Sequence, residues 1–154
     1  MANNQQVVDG LNGLLADSTV FYQKLRHYHW NVDGRHFFEL HAKFEEIYDS
    51  WAGTIDEIAE RILMVGGVPL HTLKTLLEAA GLEEDETIPA AGAMVERVVA
   101  DLRLLHVKAG EVIEAAESAE DRGTANLLDG VRDGLEKEIW MLQAWQKQSA
   151  GAWG

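Results

Sequence analysis

The sequence predicts an all-α protein: a bundle of four long helices with a short extra helix in the crossover between helices 2 and 3. Three observations support this prediction. Apolar residues recur at steps of three and four over long stretches, only two prolines occur, and hydrophobic residues make up 47% of the 154 residues. That length is sufficient to bury a core. We expect residues 1–154 to form one domain, because no repeat, low-complexity segment or linker divides them.

The first two helices are predicted on either side of a turn. An apolar stripe over residues 7–25 predicts the first helix, and His29 extends that stripe by one step. The segment NVDG at 31–34 interrupts the pattern with turn residues. A second stripe over 37–65 predicts the next helix, and the Gly-Gly-Val-Pro segment at 66–69 ends it.

The rest of the chain predicts a crossover and two more long helices. Residues 70–80 are predicted to form the short helix, and the acidic stretch 83–86 is predicted to be a surface connection. A third long helix is predicted over 90–118. Arg122 and Gly123 are expected to break it, and a fourth helix is expected over 124–148. A long connection between the second and third helices is one of the known bundle topologies.

Composition and charge exclude several classes of protein. The chain has no cysteine, which rules out disulfide scaffolds and thiolate metal sites. No apolar run approaches the roughly 20 residues needed to cross a bilayer, and the N-terminus lacks the pattern of a secretion signal. Cytoplasmic localisation is therefore expected. The net charge of −13 disfavours DNA binding, which depends on Lys and Arg neutralising phosphates.

Histidines and carboxylates suggest a metal site. The segment RHYHWNVDGRHFFELH at 26–41 holds four of the six histidines, and Asp56 and Glu60 follow it. Imidazole and carboxylate together suit iron, zinc or manganese. Bundles that hold two irons in their core use Glu-x-x-His motifs, but Phe38 and Arg103 occupy the positions three residues before His41 and His106. A site inside one bundle is therefore not favoured.

The spacing on the second helix instead suggests a site shared by two subunits. His41, Glu45, Asp56 and Glu60 lie within an arc of roughly 100°. His41 and Asp56 are about 22 Å apart along the axis, too far to bind one ion. Two pairs of positions share one midpoint, which lies between residues 50 and 51: His41 with Glu60, and Glu45 with Asp56. An antiparallel copy across a two-fold axis there would put His41 opposite Glu60 and Glu45 opposite Asp56. The alternative is an ordinary polar face exposed to solvent.

A set of motifs in the first half of the chain carries a family resemblance. The motifs are HWNVxG at 29–34, Phe37 or Phe38, Leu40-His41, Glu45, DxxAERI at 56–62, and GGVP at 66–69. With them the chain resembles the Dps (mini-ferritin) family, and the resemblance covers about residues 11–148. It implies a ferritin-like fold and a hollow dodecamer that oxidises ferrous iron, usually preferring hydrogen peroxide over dioxygen, and stores the product as a ferric mineral. Its ferroxidase centres would lie at the dimer interface.

The resemblance also assigns roles to individual residues. The ligands from one subunit would be His29 and His41, and those from its partner Asp56 and Glu60. Glu45 stands where the family often has Asp, so it would bind directly or through water. Trp30 would be placed to intercept radical by-products; its alternative role is that of a packing aromatic.

Iron would enter where the third and fourth helices meet, since the family has acidic three-fold pores there. The alternative is an acidic helix end beside a loop, and Arg122 and Asn126 interrupt the cluster. Its acidic members are Glu117, Glu120, Asp121 and Asp129.

The remaining histidines and tryptophans are assigned simpler roles. His27 and His36 are expected to be exposed, His71 and His106 to be surface or packing residues, Trp140 and Trp145 to lie in the core or an interface, and Trp153 to lie in a tail.

Two other functions remain open from the sequence. Some relatives in this family compact DNA through basic termini, although a basic tail is missing here. The other is a helical-bundle interaction module with a degenerate site, which would show no peroxide-dependent oxidation of ferrous iron.

Overall fold

The structure is a computed structural model that describes residues 2–150, with side chains described from 4 to 147. Within that range the chain is all-helical, as predicted. Its five helices are α1 (Ala2–Asn31), α2 (Phe37–Met64), α3 (Leu73–Ala79), α4 (Ala91–Ser118) and α5 (Arg122–Ala150). No helix in this range is long and apolar enough to cross a membrane.

The four long helices pack in antiparallel pairs, and side-chain contacts give their directions. Between α1 and α2, Phe21 contacts Trp51 and Tyr22 contacts Tyr48, so numbers rise on one helix as they fall on the other. Between α1 and α4, Lys24 pairs with Asp101 (Nζ–Oδ2 2.9 Å) and Asp17 pairs with Lys108, so numbers again rise on one helix as they fall on the other. Because α1 is antiparallel to both α2 and α4, the crossover between those two must run the length of the bundle.

A continuous apolar core lies between the helices and fixes where the polar faces point. Residues at steps of three and four on α1 and α2, from Leu11 to Tyr28 and from Leu40 to Ile62, are buried in it. Large aromatic side chains fill its centre, and Phe21, Tyr28 and Phe44 have no exposed surface. Burial of this stripe leaves the opposite face of α2 exposed.

Two predicted helix boundaries were wrong. The short helix begins at Leu73 and not at residue 70, because Thr72 adopts extended backbone and its hydroxyl accepts a hydrogen bond from the Thr75 N–H. The break before α5 lies at 119–121, where Glu120 has a φ of 58°. Arg122 and Gly123, expected to break the chain, instead form the first turn of α5.

The acidic stretch in the crossover is a surface connection, as expected, with Glu83, Glu84 and Glu86 exposed, but it is anchored at Asp85. The Tyr28 hydroxyl donates a hydrogen bond to Asp85 (2.6 Å), and Arg97 forms an ion pair with the same carboxylate (2.5 Å). Burial opposes ionisation of Asp85, but hydrogen bonds from Thr87, Tyr28 and Arg97 outweigh it and hold its pKa well below the usual range. Asp85 therefore ties the crossover to α1 and α4.

Candidate metal centre

His29 at the end of α1 and His41 near the start of α2 form a closely locked pair. Their rings stack with centroids 3.8 Å apart and an angle of 13° between planes. Nδ1 of His29 lies 2.6 Å from the backbone carbonyl oxygen of His41, and Nδ1 of His41 lies 2.7 Å from the carbonyl oxygen of His29. Each ring therefore binds the backbone of the other residue.

This reciprocal arrangement determines which nitrogen is available for a metal. A carbonyl oxygen only accepts hydrogen bonds, so both Nδ1 atoms must carry the proton and donate it. In a neutral imidazole the other nitrogen, Nε2, then has a free lone pair. Among the described residues neither Nε2 has a hydrogen-bond partner. A second nitrogen bound to a carbonyl is the usual arrangement that orients metal-binding histidines.

Aromatic rings enclose the pair on two sides. Phe37 stacks on His41, with centroids 4.8 Å apart. Tyr48 contacts His29 edge-on, with centroids 5.4 Å apart and planes at 80°. The His29 side chain is only 8% exposed. The rings are thereby fixed in orientation before any metal binds.

The carboxylates expected at the site lie on the exposed face of α2. Glu45, Asp56 and Glu60 are all exposed. Asp56 and Glu60 have no ion pair or hydrogen bond among the described residues. No group of three or more metal-binding side chains comes together in the part of the chain that the structure describes. One chain thus brings together His29 and His41, and it leaves the acids free to contact another molecule.

The centre of the exposed face of α2 is made of small residues. Ser50, Ala52 and Gly53 are exposed there, and a Cβ added to Gly53 would meet nothing within 4 Å. These residues lie around the point halfway along α2 between His41 and Glu60. A second helix can approach this surface closely.

Comparison with known proteins identifies the family. A family model described as a ferritin-like domain matches residues 8–150. DNA protection during starvation protein 2 from Bacillus anthracis is 43% identical over 145 residues, covering 94% of this chain and 99% of that protein. The chain belongs to the Dps family.

Solved Dps structures share the fold along nearly the whole chain. A Dps protein from Bacillus brevis superposes with a TM-score of 0.92 at 42% identity, covering 94% of this chain and 97% of that one. The Dps protein from Vibrio cholerae O1 has a TM-score of 0.90 at 39% identity, covering 94% and 91%. It is described as a member of a broad superfamily of ferritin-like diiron-carboxylate proteins.

At the junction of α4 and α5, one acid of the expected pore cluster has a structural role in this Dps chain. Asp121 accepts hydrogen bonds from the Thr124 N–H (3.0 Å) and from Arg61 (2.7 Å). Partial burial raises the pKa of Asp121, but the bonds from Thr124 and Arg61 outweigh it, so the pKa lies below its usual value. Glu117, Glu120 and Asp129 are exposed.

The other histidines have ordinary partners within the chain. His27 and His36 are half-buried and not fully exposed as expected: His27 Nε2 donates to the Thr87 carbonyl (2.7 Å), and His36 lies 2.7 Å from Glu39. His106 is partly buried and lies 2.9 Å from the Glu136 carboxylate. His71 is exposed at the surface.

The tryptophans differ in their surroundings. Trp140 is 66% exposed, so it does not belong to the core of the chain. Trp145 is partly buried and donates to Glu39 at 3.3 Å. Trp30 is 57% exposed, and Trp153 lies outside the described residues.

Tyr48 was missed by the sequence reasoning, although it lies seven residues after His41 and therefore on the same face of α2.

Proposed function

We propose that this chain is the subunit of an iron-sequestering Dps shell that oxidises ferrous iron at centres shared by two subunits. In each centre, His29 and His41 of one subunit and Asp56 and Glu60 of its partner bind iron. Glu45 contributes directly or through water. The oxidised iron is stored inside the shell as a ferric mineral, which protects the cell from oxidative damage.

The observation that carries this proposal is the reciprocal hydrogen bonding of His29 and His41. It presents two oriented Nε2 lone pairs, and no third metal-binding side chain among the described residues joins them. Imidazole with carboxylate suits iron, and the acids on α2 are free to complete the set. The diiron-carboxylate description of the Vibrio cholerae relative supports iron as the metal.

The chemistry proposed is a two-electron reduction of hydrogen peroxide. Two ferrous ions each give one electron, the O–O bond of the peroxide breaks, and two protons complete two water molecules. Release of a hydroxyl radical is avoided because both electrons arrive together. Carboxylates suit the site because their negative charge stabilises the ferric product, and few protein ligands leave positions open for the oxidant.

The assembly we propose is a dodecamer built from two-fold dimers and located in the cytoplasm. The Dps structures that match the chain support a common fold, and the small residues on α2 support the dimer. The net charge of −13 per chain would attract iron to the shell. Glu117, Glu120 and Asp129 are candidates for the pore, and the bonds of Asp121 to Arg61 and Thr124 make it a weaker one.

Anaerobic titration with ferrous iron followed by a pulse of peroxide tests the proposed function. We expect binding to saturate at a fixed ratio to subunits, and two ferrous ions to be oxidised per peroxide. His29→Ala should lower the oxidation rate by at least about tenfold, the scale of losses when ligand orientation is removed. His71→Ala, at an exposed histidine, is the matched control. Equal rates in both variants would exclude the site.

A DNA-compacting role is the second candidate, because DNA protection appears in the name of the Bacillus anthracis relative. The charge of −13 opposes it, since DNA binding gains most of its affinity from cationic side chains. We propose that any protection of DNA comes from removal of iron and peroxide. Retardation of plasmid DNA by the shell at low salt would favour the second role instead.

A further inference from the structure

Two large apolar side chains are exposed on the face of α2 that carries the candidate ligands. Phe38 is 86% exposed and Leu63 is 59% exposed, and they lie near opposite ends of the helix. Single exposed apolar residues are common on protein surfaces, so exposure by itself implies nothing about function. The positions of these two residues relative to the candidate ligands are a separate observation.

Phe38 and Leu63 are related by the same symmetry as the ligands. Their midpoint along the chain lies between residues 50 and 51, as does that of His41 and Glu60. A step of three residues turns an α-helix by about 300°, so Phe38 lies about 60° from His41, and Leu63 lies about 60° from Glu60. Both turns lead toward the middle of the arc that holds the ligands. A two-fold axis that places His41 opposite the partner's Glu60 therefore also places Phe38 opposite the partner's Leu63.

The contacts of Phe38 within its own chain place its ring beside the histidine pair. Phe38 contacts Phe37 edge-on, with centroids 5.3 Å apart and planes at 74°, and Phe37 stacks on His41. Phe38 is thus the outermost ring of a series that begins at His29 and His41. It lies about 4.5 Å farther from the two-fold axis than His41 does, measured along α2. An apolar contact at this position would cover the outer end of the centre.

We infer that Phe38 of one subunit packs against Leu63 of its partner and closes the outer end of each proposed metal centre to bulk water. The inference rests on the proposed function. Two such contacts form in each dimer, one beside each centre, and each removes two exposed apolar side chains from water. Exclusion of water also strengthens the attraction between a bound cation and the carboxylates, because Coulomb energies rise as the dielectric constant falls.

Cross-linking tests the contact without iron, and the absence of cysteine from the sequence makes the reaction specific. In shells of the Phe38→Cys, Leu63→Cys double variant, a short bis-thiosulfonate reagent should link subunits into covalent dimers. Each single variant should give none, because the two thiols of its dimer lie about 38 Å apart along the helix axes. Phe38→Cys with Glu57→Cys is the matched control, since Glu57 is exposed but lies about 9 Å from Leu63 along α2. Native mass spectrometry verifies assembly of every variant.

A ferrous chelator tests the closure. Shells loaded anaerobically with ferrous iron are mixed with bipyridine, and the rate of iron removal is read from the absorbance of the coloured complex. Phe38→Ala should speed removal several-fold, whereas Phe38→Leu keeps an apolar side chain and should stay near the parental rate. Val107→Ala, at an exposed apolar residue of α4, is the control and should leave the rate unchanged.

The two measurements separate the possible failures. Double-variant shells that assemble but stay unlinked, or that link no more than the Glu57 control, overturn the contact. Linked shells combined with an unchanged rate of iron removal in Phe38→Ala overturn the closure alone. A parent protein that binds no ferrous iron overturns the proposed function and with it the closure, and the cross-link then reports the contact by itself.

Discussion

Mixing two inactive variants gives the sharpest prediction for the shared centre. One variant carries His29→Ala and His41→Ala, and the other carries Asp56→Ala and Glu60→Ala. If the histidines and acids of each centre come from different chains, neither variant alone has a complete centre. A mixed dimer has one complete centre, made of histidines from the second variant and acids from the first, and one centre that lacks both.

The recovered activity follows from the two-fold symmetry of such a dimer. Random reassembly of equal amounts makes about half of the dimers mixed, and each has one complete centre of two. About one quarter of the parental activity should therefore return. Each of the four side chains is replaced by Ala, so no new ligand is introduced.

The assay is peroxide-dependent oxidation of ferrous iron after the shells are dissociated and reassembled together. Native mass spectrometry of one isotopically labelled variant measures the fraction of mixed dimers. Reassembly of the His29/His41 variant with itself is the control and should stay inactive. Mixed dimers at the expected fraction with no recovered oxidation would refute the assignment of histidines and acids to different chains.

Two further predictions concern stability. Asp17 is fully buried, accepts a hydrogen bond from the backbone N–H of Leu82 and pairs with Lys108. Asp17→Ala leaves that cation without its partner, so it should lower the free energy of unfolding, measured in urea, by about 3 kcal/mol. A decrease below about 1 kcal/mol would contradict this. The folded pKa of Asp121 lies below its unfolded value. The ionised Asp121 therefore adds to the free energy of unfolding above about pH 4, and this stabilisation is lost as pH falls through the folded pKa. Asp121→Asn should therefore show a smaller fall in Tm on acidification than the parent by calorimetry, and parallel curves would exclude this contribution.

The fold was predictable because it depends on periodicity. The apolar stripes on α1 and α2 specify buried faces of long helices, and their ends are marked by turn residues at 31–34 and 66–69. The boundary at Arg122 was wrong because the start of α5 depends on Asp121, the residue before it, which accepts hydrogen bonds from Thr124 and Arg61. Thr124 lies in the first turn of α5, whereas Arg61 comes from α2. The spacing of apolar residues does not reveal hydrogen bonds of either kind.

The candidate site was predictable only as a set of residues. Spacing placed His41 and Glu60 on one face of α2, and the assignment of the ligands stays a prediction, as does the extent of one domain over residues 1–154. The locking of His29 to His41 depends on two backbone carbonyls that approach when α1 meets α2. The anchoring of Asp85 by Tyr28 likewise depends on tertiary contacts across more than fifty residues.

The reciprocal hydrogen bonds of His29 and His41 constrain how the site can change in evolution. Exchange of either imidazole leaves one backbone carbonyl without its donor and removes the ring on which its neighbour stacks, so the surviving ring loses one of its two constraints. A lineage with a single remaining histidine would therefore retain little advantage over one with none. We expect the two positions to be inherited or abandoned together.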